Sequence, residues 1–181
     1  MASRLPRSSR SRARGRRFTP LELAIGFALV GSVLAIAVPT FVREVHASRL
    51  VEPVDGLQRL GTAAVSYARS RPVTSAFPSS APLTPPVPPR GHCEPDEQNT
   101  WDHPTWRALD FRAAPQGTPH CFSFSFDSAD GDTRSTFRAQ AHGDLDGDGA
   151  QSTFEITGHA ADGDPAGPAV DRGMYVESEV E

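Results

Sequence analysis

The stretch "GRRFTPLELAIGFALVGSVLAIAVPTF", residues 15–41, decides how the rest of the chain is read. From Phe18 to Val42 the only charged residue is Glu22. As a helix rising 1.5 Å per residue, this span reaches about 37 Å, enough to cross a hydrocarbon core about 30 Å thick. A carboxylate in such a span costs roughly 2–3 kcal/mol near the bilayer centre and less toward the interface, so Glu22 calls for a partner.

The charge distribution gives the span a direction. All 18 basic residues of the chain are arginine, although the net charge is −4. Seven of them, Arg4, Arg7, Arg10, Arg12, Arg14, Arg16 and Arg17, precede Phe18, where no acidic residue occurs. Beyond that point 11 arginines stand against 22 acidic residues. A basic head before an apolar span is retained on the cytoplasmic side. The same arginines could serve as a nucleic-acid-binding arm, but the hydrophobic span follows them at once, and no nucleic-acid contact is expected.

The apolar run is too long for a cleavable secretory signal, whose hydrophobic region is about 7–15 residues. Its helical pattern also continues. Leu50, Val54, Leu57, Gly61, Ala64 and Tyr67 or Ala68 recur every three or four positions, which predicts an amphipathic extension over 43–70. Pro39 and Pro53 are expected to bend or interrupt it.

These residues carry a resemblance. "FTPLELAIGFALVGSVLAIAVPTF" resembles the N-terminal helix of type IV pilins and of the pseudopilins of type II secretion systems. In that helix a basic leader precedes an aromatic residue, a glutamate follows four positions later, and a proline and an aromatic close the apolar run. Phe18, Glu22, Gly31, Pro39 and Phe41 stand at matching spacings. The resemblance implies a leader (1–17) removed by a prepilin peptidase between Arg17 and Phe18, followed by methylation of the new amine. Arg17 stands where the family usually has glycine. It also implies assembly of the 18–42 helix with other pilin or pseudopilin subunits. The precursor would lie in a bacterial inner membrane, with its leader cytoplasmic and its domain periplasmic; the assembled filament would be periplasmic or extracellular.

The resemblance supplies a partner for Glu22. A carboxylate one helical turn from a freed Phe18 amine lies on the same face. It could neutralise that amine in its own chain, or pair with the amine of a neighbouring subunit and so set axial register, which is the role the family implies. In an uncleaved anchor Glu22 would instead reach the headgroups beside Arg16 and Arg17. Pro20 is compatible with a first helical turn, whose amides have no intrahelical acceptor to lose.

Roughly 140 residues remain beyond the span, the size of one small domain. Residues 71–119 open with "RPVTSAFPSSAPLTPPVPPRGHCEPDEQ", an extended, proline-rich crossing over the domain surface. Within the same segment "TWDHPTWRALDF" predicts a helical turn with Trp101, Trp106, Leu109 and Phe111 as core anchors. Cys93 and Cys121, the only cysteines, are expected to form a disulfide worth roughly 3 kcal/mol, since neither the spacing of a zinc site nor a C-x-x-C is present.

Residues 120–181 read as antiparallel strands. "CFSFSFD" puts Phe122, Phe124 and Phe126 on one face and serines on the other, and "STFRAQAH" and "STFEITGHA" alternate in the same way. Asp-Gly-Asp recurs at 130–132, 146–148 and 162–164, a period of one strand plus one turn. The fold class is therefore α+β: a long N-terminal helix packed on a small antiparallel meander, as in pilins.

The middle turn, "DLDGDGAQSTFE" (144–155), fits a twelve-residue calcium loop. Asp144, Asp146, Asp148, the Ala150 carbonyl, Ser152 and Glu155 would be the oxygen ligands of a structural Ca2+. The flanks, however, read as strands rather than the helices of an EF-hand, and acidic turns of this composition also occur as solvated hairpin tips.

No phosphate-binding glycine loop, HExxH or Gly-x-Ser-x-Gly occurs, so no enzymatic activity is expected. Two functional classes follow. One is a major or minor structural subunit of a pilus or pseudopilus. The other is a monomeric, membrane-anchored exported domain with a calcium-stabilised binding surface.

Overall fold

A computed structural model describes residues 19–178 and their side chains, except the side chains of 42–49. The chain divides into two units, one ending at Arg43 and the other beginning at Glu44.

Helix α1 runs unbroken from Pro20 to Arg49, with Pro39 inside it. The interruption falls at Leu50, and α2 then runs from Val51 to Ala68. The cause is Pro53, which has no N–H to offer the Arg49 carbonyl and whose ring crowds it. In the first turn of α2 the same proline costs nothing, because amides there lack an intrahelical acceptor.

The second unit is an α+β domain. Helix α2 buries Pro53, Gly56, Leu57, Leu60, Gly61, Ala64 and Ala68, one stripe at helical spacing. A proline-rich segment follows, with a single 3₁₀ turn (Val73–Ser75), strand β1 (Ala81–Thr84), strand β2 (Glu94–Pro95) and the short helix α3 (Pro104–Ala108). Then come β3 (Pro119–His120), β4 (Phe122–Ala129), β5 (Arg134–Gly143), β6 (Ser152–Ala161), β7 (Ala169–Val170) and β8 (Tyr175–Glu177).

The main sheet is antiparallel in the order β1-β4-β5-β6-β7; β8 also pairs with β6, at Thr153–Glu155, whereas β7 pairs at Gly158 and His159. The proline-rich crossing thus supplies one edge of the sheet through β1, and its β2 pairs with β3 in a separate ribbon. Each Asp-Gly-Asp triplet lies in the connection that follows a strand: after β4, after β5 and after β6.

Volume alternates across the sheet's buried face. Phe124 pairs with Ala141, which pairs with Phe154; Phe126 pairs with Ala139, which pairs with Ile156; Ser128 pairs with Phe137, which pairs with Gly158. A bulky side chain therefore always has small cross-strand neighbours, and the rows interdigitate as close packing requires. Phe126 and Phe137 stack with centroids 5.5 Å apart.

Trp101, Trp106, Leu109 and Phe111 are all buried, as the sequence predicts. Trp101 meets Trp106 and Phe111 edge-on, and Phe111 meets Phe124. The Arg59 guanidinium donates to the Arg112 and Ala113 carbonyls, fixing the end of this segment against α2. Cys93 and Cys121 form a disulfide.

Candidate functional sites in the N-terminal helix and the acidic turn

The start of α1 is built by four residues, Thr19-Pro20-Leu21-Glu22. The Glu22 Oε2 accepts the Thr19 N–H at 2.7 Å and the Thr19 hydroxyl at 3.0 Å, and the Glu22 N–H donates to the Thr19 Oγ1 at 3.3 Å. This is a reciprocal capping box: the N-cap threonine and the glutamate three residues on each satisfy an amide with no helical acceptor. Pro20 occupies the first helical position, where its fixed φ suits the helix and its missing donor is not needed. The local signal for this cap is the T-x-x-E pattern of residues 19–22.

From Pro20 to Phe41 the helix is long and apolar enough to cross a membrane, and none of its residues is buried within the chain. Leu21, Phe27, Ile36 and Phe41 are each more than two-thirds exposed. Gly26 and Gly31 have open space where a Cβ would stand, so each leaves a shallow gap on the helix surface. Arg17 and Phe18, the expected processing site, lie outside the described residues.

The acidic turn joins β5 to β6. Asp144, Asp146 and Asp148 offer carboxylate oxygens that all lie within 4.8 Å of one another. Each also organises the backbone: Asp144 Oδ1 accepts the Gly147 N–H at 2.8 Å, Asp146 Oδ1 that of Asp148 at 3.1 Å, and Asp148 Oδ1 that of Ala150 at 2.7 Å. Gly147 and Gly149 adopt positive φ, which the reversal of the chain requires. Asp144 is buried, and the proline-rich segment crosses it. The Gly91 N–H donates to the Asp144 carbonyl at 2.8 Å, and the Arg90 Nε lies 3.8 Å from its Oδ2.

Ser152 and Glu155 lie in β6, each with a partner in the sheet. The Ser152 hydroxyl donates to the Gly143 carbonyl, and Glu155 accepts from Gln140 Nε2 at 2.8 Å across the strands. Glu155 lies outside the aspartate cluster because of the advance of the chain. A helix rises 1.5 Å per residue and keeps the twelfth loop residue near the first, whereas a strand rises about 3.3 Å and carries it away. The turn thus gathers Asp144, Asp146 and Asp148, with Ala150 next along the turn.

No protein-family model, curated protein or solved structure matches the chain.

Proposed function

We propose that the chain is a subunit of a type IV pilus or type II secretion pseudopilus, held in the inner membrane by α1 and assembled through that helix. The observation that carries this reading is a 22-residue apolar stretch, Pro20–Phe41, with none of its residues buried in the chain's own fold. Such a surface needs an apolar environment, which lipid supplies before assembly and neighbouring helices supply after it. The gaps at Gly26 and Gly31 suit close helix approach. The disulfide suits a domain on the oxidising side of the membrane.

A photo-crosslinking amino acid placed at Val30 or Leu34 of the full chain, in a cell making the filament, tests the reading. Adducts to the corresponding helix of further pilin-type subunits are expected. A chain crosslinked to lipid alone, and never found in a filament fraction, would leave the anchored monomeric domain as the function.

The acidic turn favours calcium as a structural ion of the domain in either case. Three hard oxygen donors converge there, and Asp144, Asp146 and Asp148 would hold the ion. When bound, it would offset the mutual repulsion of these carboxylates and pin the β5–β6 connection.

A further inference from the structure

His120 ends β3 immediately before the disulfide cysteine, and its ring is buried with both nitrogens engaged. Nδ1 lies 2.9 Å from the Phe122 carbonyl oxygen, and Nε2 lies 2.7 Å from Asp96 Oδ1. A carbonyl only accepts, so Nδ1 carries a proton. The proton between Nε2 and Oδ1 then belongs to whichever group holds it more strongly. Imidazole is intrinsically more basic than a carboxyl by about 2.6 pH units. The other oxygen of the same carboxylate, Asp96 Oδ2, accepts from Trp101 Nε1–H at 2.6 Å, so the group faces donors on both sides.

We infer that His120 and Asp96 form a proton-binding site: a buried imidazolium–carboxylate pair whose proton latches β3 to the 94–103 segment. The side chains are 2% and 3% exposed, so the pair is screened little by solvent. It also forms part of the lining of a cavity of about 620 Å³, with Pro82, Pro85, Glu97 and His103 among the other walls, which gives protons a route to it. The titratable groups around it are Asp96 on the crossing, Glu52 from α2, and Glu94, Glu97 and His103 around the cavity. Glu52 takes the amides of Cys121 and Phe122, the two residues after His120, so the same short stretch is held from the helix side as well.

Removing the proton sets two lone pairs against each other at 2.7 Å, between side chains that are almost wholly buried. Asp96 then moves away, and Trp101 loses the acceptor for its indole N–H. The latch therefore opens with rising pH, and the opening is confined at first to the wall between Glu94 and His103.

The test is nitrogen-15 NMR of the histidine rings and indoles of the full chain in detergent micelles. At neutral pH both His120 nitrogens should show protonated shifts. As pH is raised, loss of the ring proton should coincide with movement of the Trp101 indole resonance. In Asp96→Asn the ring should be neutral at neutral pH, and the Trp101 resonance should no longer follow pH. A wild-type ring with one unprotonated nitrogen at neutral pH overturns the inference, as does a Trp101 resonance indifferent to the ring. If Asp96→Asn does not fold, the two wild-type readings still decide.

Discussion

The edge of the Phe124 ring occupies the space that a side chain on Gly56 would need: a Cβ there would stand 2.5 Å from Cζ and 2.6 Å from Cε1. A turn and a half further along α2, a Cβ on Gly61 would lie 2.9 Å from Ile156 Cδ1 and 3.0 Å from Val170 Cγ2. The helix lies on the sheet as closely as it does because two of its contact residues have no side chain.

Gly56→Ala should therefore destabilise the domain, although alanine is the better helix former by about 1 kcal/mol. Phe124 is walled in by Trp101 and Phe111 and cannot swing aside. The net cost expected from such overpacking is about 1–3 kcal/mol. Gly61→Ala should cost less, since the tips of Ile156 and Val170 can yield. Urea unfolding followed by circular dichroism ranks the two; an equal or stabilising effect at Gly56 would show that the ring has room.

The capping box separates two roles for Glu22. Glu22→Gln keeps the reciprocal bond with Thr19 but removes the charge, while Thr19→Ala removes the cap and keeps the charge, at about 1 kcal/mol of local helix stability. If Glu22 sets register by pairing with an amine, Glu22→Gln should lose most incorporation into sheared filaments and Thr19→Ala should retain it. The opposite ranking would assign Glu22 to the cap alone.

Glu52 makes a pH-dependent contribution whose sign can be stated. Burial raises its pKa, and the amides of Cys121 and Phe122, with the nearby charges of His120 and Arg59, pull it back only in part. A carboxyl whose folded pKa lies above its unfolded one stabilises most below the unfolded value, and that stabilisation is lost as pH rises through the folded value. Glu52→Gln, always neutral and still an acceptor, should be at least as stable as wild type at neutral pH, and its advantage should shrink in acid. Glu52→Ala strands two amides and should cost about 1–3 kcal/mol for each at either pH. Paired denaturant titrations at neutral and acid pH check both.

In the acidic turn, millimolar calcium should raise the thermal midpoint, as expected for the weak sites of extracellular modules, whose dissociation constants are about 0.1–1 mM. Chelator should reverse the rise, and magnesium should not reproduce it. At a hundredfold excess over the dissociation constant the gain is about 2.7 kcal/mol. Asp146→Asn or Asp148→Asn should abolish the response, whereas Glu155→Gln, whose carboxyl is engaged by Gln140, should leave it intact. A response lost in Glu155→Gln would mean that β6 bends to bring Glu155 to the ion.

What could be read from the sequence was what depends on near neighbours. The apolar span, the Phe/Ser alternation of β4 and the three Asp-Gly-Asp connections are each set within a few residues. Pairings across distance were not legible. Nothing local marks Ala81–Thr84 as a strand, because two of the residues that complete it, Phe124 and Phe126, lie some forty residues away. Glu52 has the look of an ordinary first-turn acid until the fold brings it two amide donors from β3–β4. His120 and Asp96 likewise become a pair only through the β2–β3 ribbon. For the acidic turn, spacing alone named six ligands; Asp144, Asp146 and Asp148 cluster, whereas the strand that begins at Ser152 carries Glu155 off to Gln140.

Val170, in β7, packs where Gly61 leaves room, so α2 is not fully covered until synthesis has passed β7. A chain emerging N-terminus first displays α2 and then the three phenylalanines of β4 well before β7 can close over the far edge. During that interval β6 has an unpaired edge and the core is open, which is the state in which strands associate with the wrong neighbour. Deletion of β7 and β8 would thus act on yield through a prolonged vulnerable intermediate, in addition to uncovering Gly61 and removing Met174 from the edge of the core.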